Sequence, residues 1–162
     1  MPLSERLRSF LDSHQAEFTL STHPIAFTAR EVAAAEHLPP RELAKVVVIF
    51  GDAADHIVVI PANRQVDLHE TRSALGLSQA RLATESELIK LFPDCEVGAM
   101  PPLGSPYGLP VYLDSTLAAQ DTIAFNAGTH EAVIHMRMAE FRRLASPQIV
   151  SLVREPAETR AW

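Results

Sequence analysis

The chain has 162 residues, of which 47% are apolar and 21% charged, and a formal net charge of −6. This is one ordinary globular domain, able to bury about two thirds of the surface its unfolded chain exposes. The acidic balance excludes a protein that grips nucleic acid mainly by neutralising phosphates, so any such partner, DNA included, has no broad basic face to meet. The apolar runs are too short to span a membrane, and a single cysteine, Cys95, excludes an internal disulfide framework or a cysteine-based metal cluster. The N-terminus MPLSERLRSFLDSH lacks a secretory apolar block, which points to a cytoplasmic protein.

In chain order, Leu3, Leu7, Phe10, Leu11 and Phe18 recur at near-helical spacing among charged residues and predict an amphipathic first helix. EFTLSTH reads as a short strand. Thr28 with Glu31 matches a capping box, and the helix behind it, AREVAAAEH, cannot pass Pro39-Pro40. AKVVVIF and HIVVIPA are strands joined by the short polar GDAAD, a hairpin. Asp67 caps a helix through LHETRSALG that Gly76 stops, and Thr84 with Glu87 opens another that ends before Pro93. LPVYLD, DTIAFNA and AVIHMRM read as strands, AEFRRLA as a final helix, and the tail REPAETRAW as a mobile end. No repeat or linker divides the chain, so a single domain is expected over residues 1–162, with its core in about residues 5–150. Helices and strands do not alternate regularly enough for a doubly wound parallel sheet. The expected class is α+β: a mixed, mostly antiparallel sheet surrounded by helices.

Several chemistries fail on spacing. HEAVIH, from His130 to His135, approaches the zinc motif HExxH, but its histidines are five apart on a predicted strand and point to opposite faces. No metal site is expected there. No G-x-S-x-G elbow and no phosphate-cradling glycine loop occur. The acidic flanks Asp94 and Glu96 would raise the Cys95 pKa, which favours an inert thiol. Two features stay open. RELAKVVVIFG sets Lys45 against the most apolar run of the chain, either as a solvated charge at a strand end or as a cation aimed into a pocket. EVGAMPPLGSPYGLP holds four prolines and three glycines, either a connecting loop or a rigid one that offers N–H groups to an oxyanion.

Three segments in order, AKVVVI with Lys45, GAMPP (Gly98 to Pro102) and DTIAFNAGTH, resemble the YbaK and prolyl-tRNA synthetase editing-domain family. HPIAFTAREVA is similar to that family's earlier pocket-forming segment, and the resemblance covers about residues 5–150. It implies a YbaK-like fold and a metal-independent, cofactor-free deacylase that cleaves the ester joining a wrong small amino acid (Ala, Ser, Cys or Thr) to tRNA. It implies that Lys45 contacts the terminal adenosine end, that the Gly98 backbone holds the scissile carbonyl or the attacking water, and that a ribose hydroxyl of the substrate helps to activate that water. Thr28, Phe27, Met100, Pro102, Gly128 and His130 then form the substrate pocket. The partner would be the tRNA acceptor end, held weakly and locally by a rim drawn from Arg30, Arg41, Arg64, Arg137, Arg142 and Arg143, with delivery by a synthetase or an elongation factor. A non-catalytic tRNA-binding module and a small-molecule aminoacyl esterase are the alternatives within the same fold.

Overall fold

In the computed structural model, which describes residues 3–153, eight strands form two sheets with six helices among those residues. Helix α1 (Glu5–Ser13) starts where the Ser4 hydroxyl accepts from the Leu7 N–H, and it buries Leu7, Phe10 and Leu11. Strand β1 (Thr19–Thr22) follows. Helices α2 (Ala29–Ala35) and α4 (Glu85–Leu91) each open on the expected reciprocal capping box, Thr28 with Glu31 and Thr84 with Glu87. Helix α2 ends before the two prolines compel it to, because His37 turns into the left-handed region at φ 57°. Helix α3 (Leu68–Leu75) is capped by Asp67 and stopped by Gly76 at φ 68°, as the sequence predicts.

Strands β2 (Ala44–Gly51) and β3 (Ala54–Pro61) form the antiparallel hairpin. Its turn is only Asp52-Ala53, tighter than GDAAD suggests, with positive φ at both residues (52° and 64°). That is the type I′ arrangement whose twist matches the flanking strands. The five-stranded sheet runs β4 (Arg81–Leu82), β2, β3, β5 (Val111–Asp114), β8 (Gln148–Val150), its last two pairings parallel. Helix α5 (Ser115–Ala118) follows β5 directly. The second sheet has the order β1, β7 (Ala132–Arg137), β6 (Thr122–Asn126) and is antiparallel throughout. Helix α6 (Met138–Ala145) closes the fold. The α+β class and the antiparallel majority are those expected from sequence, but the strands divide between two sheets. The main core includes Ile57, Val59, Leu113, Phe125, Ile134 and Phe141, all inaccessible to solvent, with the Phe125 and Phe141 rings 5.9 Å apart. The tail REPAETRAW lies outside the described residues.

The two sheets meet at a parallel bridge between Leu43 and Ala124. Among the described strands, no pairing of β2 with β6 continues past that bridge. The two chains run on from it side by side and become the walls of a cleft.

Candidate functional site

A cavity of about 670 Å³ opens in that cleft, within the usual size range for small-molecule sites. One wall is β2. The Ala62 N–H donates to the Leu43 carbonyl at 2.9 Å, which sets the phase of the hairpin ladder. Lys45 and Val47 therefore turn their backbone polar groups toward β3, and Ala44 and Val46 turn theirs away. Strand β4 covers that outer edge only at Ile49 and Phe50. Past the Leu43–Ala124 bridge, Val46 thus faces the cavity with backbone groups that no described strand pairs. The side chain of Lys45 enters the same cavity, held by eight residues of hairpin strand. Burial lowers its pKa below the ordinary lysine value, and no neighbouring charge contributes to the shift. Arg30 from α2 and Arg64 from the segment after β3 also line the cavity, whose wall contains no Asp or Glu among the described residues. An acidic chain has therefore collected three cations in one place.

Gly98 and Met100 form part of the opposite wall. Their loop is clamped to the β6–β7 turn: the Glu96 N–H donates to the Gly128 carbonyl (2.8 Å) and the Gly128 N–H to Ala99 (2.9 Å). The His130 N–H donates to the Glu96 carboxylate (2.7 Å), and His130 Nε2 lies 3.0 Å from the Val97 carbonyl. Gly98 sits at φ +90°, which L side chains rarely adopt, and a Cβ there would lie 3.4 Å from His130 Cε1. Its N–H points to Met100 Sδ at 3.2 Å. A thioether is among the weakest acceptors a protein offers, so a substrate oxygen could displace it at little cost.

The cavity wall thus brings together Lys45, Phe27, Thr28, Gly98 and Met100 of the residues singled out from sequence. It does not include Pro102, Gly128 or His130, which stand behind it. Pro102 is buried, Gly128 anchors the loop, and the His130 ring packs on Phe27 with centroids 4.9 Å apart. Phe27 itself is 69% exposed at the cavity mouth. The Thr28 hydroxyl accepts from the Glu31 N–H at 3.1 Å, so it serves the helix cap as well as the wall. Of the six arginines, only Arg30 and Arg64 reach the cavity. Arg143 pairs with Glu140 (2.9 Å), and Arg137 and Arg41 lie 3.9 Å and 4.0 Å from Glu17 and Glu42.

His135 is a strand residue whose Nε2 lies 3.0 Å from the Glu36 carboxylate. His130 is in the preceding turn, so HEAVIH does not present its histidines together. The Cys95 thiol is pushed up to about 11, foremost by burial, with Asp94 adding to it. The direction agrees with the sequence reading, but burial is the larger cause and Glu96 contributes nothing.

Sequence reasoning missed Asn126, Asn63, Gln65 and the open β2 edge. The signal for Asn126 was present, as a polar residue ending an apolar strand. It shares a face with Ala124, whose neighbours are Leu43 and Ala62.

Residues 23–144 match the model of the aminoacyl-tRNA editing domain. The chain belongs to this family. The editing domain is 28% identical over 155 residues to the multifunctional Ser/Thr-tRNA deacylase ProXp-y of Escherichia coli, an alignment covering 93% of this chain and 92% of that protein. Two solved structures share its fold. One, described as a candidate trans-editing enzyme for prolyl tRNA synthetase, has a TM-score of 0.82 and 24% identity, covering 94% of this chain and 99% of the other. The other, the hypothetical protein APE2540, has a TM-score of 0.83 and 19% identity, covering 93% and 100%.

Proposed function

We propose that this editing domain is a trans-acting hydrolase that cleaves the ester of tRNA misacylated with a small amino acid, of the serine or threonine type. The observation that carries this reading is the cavity itself: Lys45, Arg30 and Arg64, with no acid among the described wall residues, share it with the weakly engaged N–H of Gly98. Three cations suit the phosphates at the end of an RNA strand, and their confinement to one cleft fits a chain of net charge −6 that binds tRNA locally and weakly. An aminoacyl ester is already reactive, so the site needs position and charge more than a nucleophile. Water attacks the carbonyl carbon, and the C=O π pair moves onto oxygen, where the Gly98 N–H meets it in place of Met100 Sδ. Collapse expels the ribose oxygen, which takes up a proton and leaves free amino acid and tRNA. Lys45 fixes the nucleic-acid end so that the ester reaches the glycine, a role for which a desolvated cation on a rigid strand is well suited. The deacylase name of the E. coli relative supports the same chemistry and the hydroxyl-bearing amino acids. The open mouth is compatible with hand-over from a synthetase or an elongation factor.

The test is a panel of labelled aminoacyl-tRNAs beside free aminoacyl esters. Seryl- or threonyl-tRNA should turn over and the free esters should not. Equal turnover of free esters would favour a small-molecule esterase, and no turnover of any ester a non-catalytic binding module.

A further inference from the structure

The cavity is cationic in one part, and a residue in another part of its wall has no assigned use. Asn126 lines the wall at the end of β6, across the cleft from β2. Its Oδ1 is closed off from solvent and accepts no hydrogen bond among the described residues. Behind Gly98, the His130 ring repeats the situation. A carbonyl can only accept, so the contact to Val97 puts the proton of a neutral ring on Nε2 and leaves Nδ1 a bare acceptor. That Nδ1 is also buried and has no partner among the described residues. Buried polar atoms without a partner are rare in folded proteins and cost stability, so the Asn126 oxygen, the one of the two whose residue lines the cavity, calls for an occupant there.

The occupant must bring a donor. The substrate's ammonium is a poor candidate, because the amide oxygen of Asn126 is uncharged and the described wall contributes three cations and no carboxylate. A neutral hydroxyl meets no such repulsion. The terminal amide of Asn turns about a soft, roughly two-fold torsion, which lets Oδ1 swing toward a ligand in the cavity.

Building on the deacylase reading, we propose that Asn126 is a specificity-determining residue whose side-chain oxygen accepts the hydroxyl of a seryl or threonyl group. The site thereby prefers hydroxyl-bearing amino acids to alanine. A pocket that pairs a substrate hydroxyl rejects the analogue lacking it, since its own polar atom is then left unpaired.

The experiment compares kcat/KM for seryl- and alanyl-tRNA in the wild type, Asn126→Leu and Asn126→Ser. Asn126→Leu keeps similar bulk and removes the orphan oxygen. It should lower the seryl rate about tenfold or more, leave the alanyl rate within about threefold, and melt no lower than wild type. Asn126→Ser retains an acceptor and should keep part of the preference. An equal fall for both esters, or an unchanged serine-to-alanine ratio, would overturn the proposal while leaving the deacylase reading in place. Absence of turnover by the wild type would overturn both. If Asn126→Leu melts well below wild type, the ratio in Asn126→Ser decides: retained preference supports the hydroxyl contact, and a ratio near one for a well-folded Asn126→Ser overturns it.

Discussion

Replacing Gly98 by alanine tests the claim that this one peptide is held in an unusual shape for chemistry. The site has φ +90°, and a Cβ there would meet His130 Cε1 at 3.4 Å and Nε2 at 3.9 Å, ordinary contacts rather than clashes. The cost therefore falls on the backbone, about 1–2 kcal/mol for an L residue in the left-handed region. For a domain of this size that lowers Tm by about 2–8 °C. The loop can instead relax by turning the Val97–Gly98 peptide, which breaks the Val97 carbonyl contact to His130 (3.0 Å) and re-aims the Gly98 N–H. With strain of this size the relaxed loop is expected, and it displaces the oxyanion donor; losing one such donor costs about 10²–10³ in rate. Gly76→Ala is the matched control: its φ is +68°, nothing lies within 4 Å of the added Cβ, and it ends α3 rather than lining the cavity. Both variants should lose a few degrees by calorimetry, and only Gly98→Ala should lose deacylation of seryl-tRNA. Wild-type kcat/KM in Gly98→Ala, or equal activity losses in the two variants, would show that the shape of this peptide serves no chemistry.

Three further outcomes are expected. Burial lowers the Lys45 pKa in the fold, so between that value and 10.5 the unfolded chain binds more protons and this residue's contribution to stability rises with pH. At neutral pH its charge is a cost, so Lys45→Met should melt at or above wild type near pH 7, with the difference shrinking as pH rises into that window. Asp114 is buried and accepts from the N–H groups of Leu152 (2.8 Å) and Thr116 (3.0 Å) and from the Thr116 hydroxyl. Asp114→Ala strands those donors and should cost about 2–4 kcal/mol in urea unfolding. With its thiol at about 11, Cys95 should react slowly with iodoacetamide at pH 7, and Cys95→Ser should deacylate at wild-type rates.

The helices were legible because their ends are chemically marked: Thr28 with Glu31, Thr84 with Glu87, and Asp67 with Gly76 all cap as written. The hairpin was legible because two apolar runs flank a short polar turn. Strand β4 at two residues, β8 at three and α5 at four are too short to carry a period, so the sequence did not announce them. Their absence from the sequence reading hid the division into two sheets, and with it the open β2 edge. Lys45 and Gly98 could be found because motif order points to them. Asn126 was marked only as a polar residue ending an apolar strand, and its orphan oxygen is a fact of packing across β6 that local pattern does not encode. The arginine set divides for a similar reason. Sequence counts charges, while the fold decides that Arg30 and Arg64 face the cavity and Arg143 faces Glu140.

The most direct test of the account is single-turnover deacylation of seryl-tRNA by wild-type protein and by Lys45→Met. The wild type should release serine well above the uncatalysed rate, and the variant, folded and no less stable, should fall by about a hundredfold or more. Equal rates in the two proteins, or no release by the wild type, would contradict it.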